Sequence, residues 1–314
     1  MRILVTGGAG FIGSNLVAKL LENNEIIVLD NLSSGKKEFI EPFLDKIEFY
    51  EIDLENKIEK FFDVDEVWHL AANPSVRDST IDTFFRELKI TRNVLEASVK
   101  GKVKRILFTS SSTVYGDASP RTPENFETKP ISFYGASKLA CESLISTYCS
   151  LHKIQGFIFR LANIIGKNST HGVICDFIQK LLKNHETLEI LGDGKQKKSY
   201  LYVDDCIEAM IIVRNKAKEL INIFNIGNND WITVKEIADI VVDELTKEGL
   251  IKERPKYKFT GGENGRGWKG DVKEMLLGIE KLKKLGFEPK FSSREAVKKA
   301  AAEIIKNLDL KRLC

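Results

Sequence analysis

Three stretches of the chain hold residue types at spacings that could carry chemistry. Tyr134-Gly135-Ala136-Ser137-Lys138 lies at the start of a segment with helical apolar spacing that follows Pro130. Four residues apart on a helix, Tyr134 and Lys138 share a face, so the ammonium can lie near the phenol and favour its phenolate. A group with a free pKa of about 10 then becomes a usable base near neutral pH. The second stretch is Thr109-Ser110-Ser111-Ser112-Thr113-Val114-Tyr115-Gly116, which follows a predicted strand and so places hydroxyls at the carboxyl edge of a sheet, where ligands bind. Singly, the first is commonly a helix-surface pair and the second commonly a loop. The third is Thr6-Gly7-Gly8-Ala9-Gly10-Phe11-Ile12-Gly13, where glycines let the backbone turn tightly and bring a diphosphate onto the N–H groups of a helix start. The next strand ends in Asp30, about 20 residues on, where a carboxylate accepts ribose hydroxyls and repels the 2′-phosphate of NADP. The pairing points to NAD.

These residues need a scaffold, and the first half of the chain alternates strand-like and helix-like segments in the manner of a doubly wound sheet. Candidate strands are Arg2 to Thr6, Glu25 to Asp30, Lys46 to Leu54, Glu66 to Ala72, Arg105 to Ser111 and Ile154 to Ala162. Helical spacing links the first two and recurs over about Asp82 to Val99 and Tyr134 to Leu151. Beyond Ile165 the rhythm becomes irregular, and Thr233 with Glu236 and Ser292 with Glu295 form capping boxes that open two helices. The expected fold is α/β: a Rossmann-type doubly wound parallel sheet over residues 1–165, then a smaller mixed α/β substrate-binding lobe over 166–314, with segments around 200–230 free to pack back on the first domain.

Composition narrows the function classes. Hydrophobic residues make up 43% and charged residues 30%, the balance of an ordinary folded protein. The 48 basic and 45 acidic side chains leave a net charge of +3, so sequence-independent nucleic-acid binding has little electrostatic support. The runs Lys195 to Lys198 and Lys281 to Lys284 read as solvated faces, the first with room for a local role. No signal-like or membrane-length apolar stretch is present, so a cytoplasmic protein without membrane association is expected. Cys141, Cys149, Cys175, Cys206 and Cys314 form no C-x-x-C pair and read as reduced and structural, and the four scattered histidines suggest no metal site.

Taken together, in this order and spacing, these segments resemble the extended short-chain dehydrogenase/reductase family, and within it the UDP-galactose 4-epimerases. The resemblance covers nearly the whole chain. It rests on Val5 to Ser14, Asp30-Asn31-Leu32, His69-Leu70-Ala71-Ala72, Ser110 to Gly116, Tyr134 to Lys138, Arg160 to Gly166, Gly192 to Asp205 and Arg266 to Asp271. It implies NAD as cofactor, bordered by Gly7, Gly10, Phe11, Ile12, Asp30, Asn31, Asp53, Leu54, Leu70, Ala71 and Ala72, with Tyr134 and Lys138 at the nicotinamide end. It implies Tyr134 as the proton-transferring group, Lys138 as its tuning partner and Ser111 as hydrogen-bond partner of the reacting sugar oxygen. Asn163, Val173 and Arg266 would hold the nucleotide diphosphate end of a UDP-hexose.

The chain departs from the family at several points. Glu87 stands where relatives carry Asn near the cofactor, and Lys198 replaces a phosphate-facing Arg. Lys neutralises a phosphate without forming a planar bidentate fork. Arg266 sits two residues further than usual from Gly270-Asp271, with Trp268 between. Met275 aligns with the side chain that limits room beside the sugar's C2 substituent, and equally reads as a core methionine filling a gap in a helix. The expected reaction is oxidation at C4 by NAD with return of the hydride to the opposite face, in a homodimer built on the helices at about Asp82 to Val99 and Tyr134 to Leu151. A related dehydratase or decarboxylase, which would carry acidic residues where Ser112 and Thr113 stand, is the nearest alternative. A non-catalytic NAD-binding regulator is a more distant one, with no need to keep Ser111, Tyr134 and Lys138 together.

Overall fold

The computed structural model describes residues 1–56 and 58–308; Cys314 lies outside them. In chain order the elements are β1 (Arg2–Thr6), α1 (Phe11–Leu20), β2 (Glu25–Asp30), β3 (Ile47–Glu51), β4 (Glu66–His69), α2 (Ile81–Lys100), β5 (Arg105–Ser111), α3 (Phe133–His152), β6 (Gln155–Leu161) and β7 (Asn163–Ile165). Then follow α4 (Val173–Lys183), β8 (Thr187–Ile190), β9 (Lys197–Lys198), β10 (Tyr200–Tyr202), α5 (Val203–Lys216), β11 (Ile221–Ile226), β12 (Ile232–Thr233), α6 (Val234–Lys247), β13 (Lys256–Phe259), β14 (Glu274–Met275), α7 (Glu280–Lys283) and α8 (Ser293–Lys306).

Seven strands form one sheet in the order β11-β6-β5-β4-β1-β2-β3, and every neighbouring pair runs parallel. A parallel sheet covered on both faces needs apolar side chains in both directions, which is why Ile3-Leu4-Val5 and Ile26 to Leu29 are unbroken runs rather than alternations. One face carries Ile3, Val5, Trp68 and Phe159 into a core shared with α1, α5 and the second lobe. The other carries Leu4, Ile27, Val67 and Phe108 toward α2 and α3. The strand order reverses between β1 and β4, and the crevice above that switch point is where such sheets receive ligands.

The predicted strands agree with the sheet to within one residue except at two ends. The third is shorter than Lys46 to Leu54, because Asp53 turns the chain by accepting the Glu55 N–H at 2.9 Å through Oδ1. The fourth ends at His69 rather than Ala72, where the Ala71 N–H leaves the ladder for Thr6 Oγ1 at 3.3 Å. Both capping boxes are present, on α6 and α8. Beyond β6 the chain enters the second lobe and then returns, α5 packing on α1 and β11 extending the sheet beside β6. The second lobe is assembled from α4, α6 and α8, the parallel pair β8–β13, and β9 between β12 and β14. No helix among the described residues is long and apolar enough to cross a membrane.

Candidate active site

The glycine turn is shaped by close approach. Gly7 has φ +71°, and a Cβ there would lie 2.6 Å from the Ala71 N. At Gly13 a Cβ would meet the Gly7 carbonyl oxygen at 2.1 Å. Only glycine lets β1 and α1 pack this tightly, and the N-cap of α1, Gly10, offers no side-chain cap, so the first N–H groups of the helix stay available to a diphosphate. Asp30 ends β2 beside this turn. Its Oδ2 accepts the Ala9 N–H at 2.9 Å and its Oδ1 the Leu32 N–H at 2.8 Å. Burial pushes the carboxyl up and these two amides pull it back; each oxygen keeps a lone pair for a ribose hydroxyl. These residues fit an NAD adenosine diphosphate.

From this turn a single cavity of about 1080 Å³ runs across the switch point into the second lobe. It is lined by Gly7, Gly10, Phe11, Ile12, Asp30, Asn31, Asp53, Leu54, Leu70, Ala71 and Ala72 toward the adenosine end. Ser111, Tyr134 and Lys138 stand in its middle, and Asn163, Val173, Lys198 and Met275 line the part that reaches the second lobe.

The middle of the cavity is held by hydrogen bonds and by helix geometry. Ser132 caps α3 through the Gly135 N–H at 3.1 Å, which fixes the turn carrying Tyr134. Lys138 is 3% exposed; its Nζ donates to the Thr109 carbonyl at 3.0 Å and stands 5.7 Å from the centre of the Tyr134 ring and 4.8 Å from that of Phe108. Ser111 Oγ accepts both the hydroxyl of Thr113 at 2.9 Å and its N–H at 3.2 Å. With two donors on its oxygen, Ser111 is left to donate its own proton into the cavity.

A buried network that sequence reasoning did not single out supports this arrangement. His69 is pushed down to about 3, mainly by burial and further by the charge of Lys138, so it is neutral. Thr91 Oγ1 donates its own proton to Cys141 Sγ at 3.2 Å and so accepts the His69 Nε2–H at 3.1 Å, which leaves Nδ1 to accept from Thr6 Oγ1 at 2.8 Å. On the other side, Ser110 Oγ donates to Glu142, which is paired at 2.7 Å with the buried Arg160. Thr6, His69, Ser110 and Arg160 fall within the stretches that carry the family resemblance, whereas Thr91 and Glu142 have no sequence signal of their own.

At the second-lobe end, Lys198 Nζ pairs with the buried Asp271 at 2.5 Å and stands 5.1 Å from the centre of the Trp268 ring. Asn163 Nδ2 donates to the Ser199 carbonyl at 3.1 Å. Among the described residues Gln196 Oε1 and Trp268 Nε1 are buried without a hydrogen-bond partner, and both residues line the cavity. Met275 lies in a two-residue strand beside Lys198, not in a helix, with one side on the core and another on the cavity. Arg266 is placed differently from the other site residues: it lines no part of the cavity and forks onto Asp117 instead. Among the described residues no group of three or more His, Cys, Asp or Glu side chains gathers as a metal site.

A parallel sheet with a glycine turn and an acidic strand end at its switch point, opening onto a Ser, Tyr and Lys set, defines an NAD-dependent enzyme of the short-chain dehydrogenase/reductase type. Residues 3–227 match the NAD dependent epimerase/dehydratase family, and the chain belongs to it. It is 36% identical over 312 residues to a protein of Methanocaldococcus jannaschii provisionally named UDP-glucose 4-epimerase, covering 95% of this chain and 96% of that one. It is 35% identical over 312 residues to UDP-glucuronic acid decarboxylase 6 of Arabidopsis thaliana, covering 95% and 87%. Among solved structures, a UDP-galactose 4-epimerase superposes with a TM-score of 0.86 at 42% identity, over 98% of this chain and 100% of that one.

Proposed function

We propose that the protein interconverts a UDP-hexose and its C4 epimer, UDP-glucose and UDP-galactose being the favoured pair. The observation that carries the reading is the convergence of Ser111, Tyr134 and Lys138 in a cavity that continues from the glycine turn to the second lobe. NAD bound there supplies the hydride acceptor and donor. Tyr134 takes the proton of the sugar's C4 hydroxyl and later returns it, and Ser111 donates a hydrogen bond to the same oxygen. Lys138, fixed by the Thr109 carbonyl, is held with its Nζ 5.7 Å from the centre of the phenol ring. Lys198 and Asn163 are suited to holding the nucleotide end, which leaves the sugar ring as the part able to turn over and take hydride on its other face.

Decarboxylation of a UDP-uronate is the second reading, favoured by the similarity to a UDP-glucuronic acid decarboxylase. The strand-end loop speaks against it: Ser112 and Thr113, the residues directly after Ser111, offer no carboxylate for a further acid or base. Incubation of the purified protein with UDP-glucose, UDP-galactose, their N-acetylated counterparts and UDP-glucuronate, with the products resolved, tests both readings. Conversion between glucose and galactose forms supports the first, and a UDP-pentose from UDP-glucuronate would replace it.

A further inference from the structure

Glu87 is a carboxylate only 7% exposed, on the side of α2 that lines the dinucleotide cavity, and neither the glycine turn nor the proton transfer uses it. A buried carboxylate is costly unless something holds it. Burial pushes Glu87 up, and the charge of Lys138, the N–H of Asn73 and the charge of Arg86 pull it back. Its Oε1 accepts the Asn73 N–H at 2.8 Å. Asn73 begins the loop 73–79, which lines the cavity from Asn73 to Asp78. At the far end of that loop Ser79 Oγ accepts the Tyr134 N–H at 3.2 Å. The loop thus hangs between two pegs, Glu87 on α2 and Tyr134 on α3, and the two helices are tied where Cys141 Sγ donates to the Glu87 carbonyl at 3.8 Å.

The charges around Glu87 are few. Arg86, on its own helix, is shared with Asp53 at 3.1 Å and Glu55 at 2.8 Å. Cys141, on α3, is pushed up to about 11, chiefly by burial, and stays a neutral thiol. Lys138 is therefore the cation that Glu87 offsets. Hydride transfer requires the nicotinamide to lie against the carbon whose hydroxyl Tyr134 deprotonates, so the ring belongs at this end of the cavity. The oxidised ring carries a positive charge and the reduced ring does not. Beside an uncompensated Lys138 the oxidised form is disfavoured; with Glu87 present, the local charge is balanced.

We propose that Glu87 is a positioning residue for the cofactor: it pins the loop 73–79 through Asn73 and, by balancing Lys138, holds NAD in its oxidised form rather than as NADH. The proposal rests on the NAD dependence of the site and not on the identity of the sugar, so its test uses cofactor alone. Dissociation constants of NAD and NADH are measured by titration calorimetry on cofactor-stripped wild type, Glu87→Gln and Glu87→Ala, with amide hydrogen exchange of residues 73–79. Glu87→Gln conserves shape, and its carbonyl still accepts the Asn73 N–H. It should lower the affinity for NAD relative to NADH about tenfold while leaving loop exchange unchanged. Glu87→Ala should show the same change in preference together with faster exchange at 73–79. An unchanged ratio in Glu87→Gln overturns the charge role, and unchanged loop exchange in Glu87→Ala overturns the pinning role. Failure of wild type to bind either cofactor would strike at the NAD site itself.

Discussion

The guanidinium of Arg266 grips the carboxylate of Asp117 with two parallel contacts, Nη1 to Oδ1 at 3.1 Å and Nη2 to Oδ2 at 2.9 Å, and also donates to the Asp271 carbonyl. Asp117 directly follows Gly116 of the strand-end loop, so the pair ties the segment before β14 to the loop that follows Ser111. To serve a diphosphate, Arg266 must release Asp117, an exchange of one bidentate partner for another. If that exchange occurs, Asp117→Asn removes the competitor and should tighten UDP binding several-fold, and Arg266→Ala should weaken it at least tenfold. Calorimetric titration with UDP checks both. Weaker UDP binding in Asp117→Asn would show that Arg266 acts as a strap from its present position.

The proton-transfer role of Tyr134 has a conservative test. Tyr134→Phe keeps the ring that packs beside Lys138 and leaves the backbone N–H that donates to Ser79 in place. Fold and NAD affinity should be unchanged, while kcat falls by at least the ~10²–10⁴-fold attributed to a general acid–base group. Melting temperature, NAD binding and turnover are measured on the same preparation; near-normal turnover would take Tyr134 out of the mechanism.

On the proposed reading, Asp30 sets the cofactor preference. Both its oxygens are already fixed by the Ala9 and Leu32 amides, so the carboxylate cannot swing aside for a 2′-phosphate. NAD should bind at least about a hundredfold more tightly than NADP, since a buried carboxylate facing a phosphate costs several kcal/mol. Asp30→Ala should narrow that gap from both sides, weakening NAD by the lost ribose hydrogen bonds and relieving NADP of the repulsion. Parallel titrations with the two cofactors decide it, and tighter binding of NADP by the wild type would contradict this role for Asp30.

What could be read from the sequence is what depends on short spacing. Gly7, Gly10 and Gly13 belong to one turn, Tyr134 and Lys138 to one helix face, and Thr233 with Glu236 to one cap, so each carries its geometry with it. What could not be read depends on distant pairing. β11 joins the sheet only after the excursion through the second lobe, and Ile221–Ile226 by itself does not say which strand it will meet. The pairing of β7 with β10 brings Asn163 opposite Tyr200, and only then is Asn163 next to Ser199. The engagement of Arg266 by Asp117 joins residues 149 apart in sequence, a contact with no local signature. Trp268, which lines the cavity, stood out only as part of a two-residue insertion.

The homodimer expected from α2 and α3 has surface features in its favour. Ser79 holds the start of α3 just where α2 begins, so Ile81, Phe85 and Phe133 belong to the same end of the helix pair, at 47%, 62% and 47% exposure. Apolar side chains left open on two adjacent helices suit pairing with a second copy. Phe85→Lys should shift the protein to a monomer in sedimentation at micromolar concentration while leaving NAD affinity unchanged. Wild type that sediments as a monomer would mean that this end of the helix pair serves another purpose.

On the proposed reading, sugar choice turns on Met275, which β14 holds in register with Lys198 of β9. Its position has two sides: part of the side chain packs on the core and part borders the cavity. An unbranched, bulky thioether at the sugar end leaves room for a plain hexose and crowds an added acetamido group, so rejection is by space rather than by a missing hydrogen bond. Rejection of that kind is modest, about 10–200-fold for a methylene-sized difference. Met275→Ala should therefore raise kcat/KM for UDP-N-acetylglucosamine relative to UDP-glucose by a factor within that range. The core contact makes a second effect unavoidable: truncating a partly buried Met costs stability, by less than the ~2–5 kcal/mol of a fully buried site. Thermal melting separates the two, because a packing defect lowers Tm and depresses both sugars together, whereas relief of crowding changes their ratio. Equal losses on both sugars would assign Met275 to the core alone.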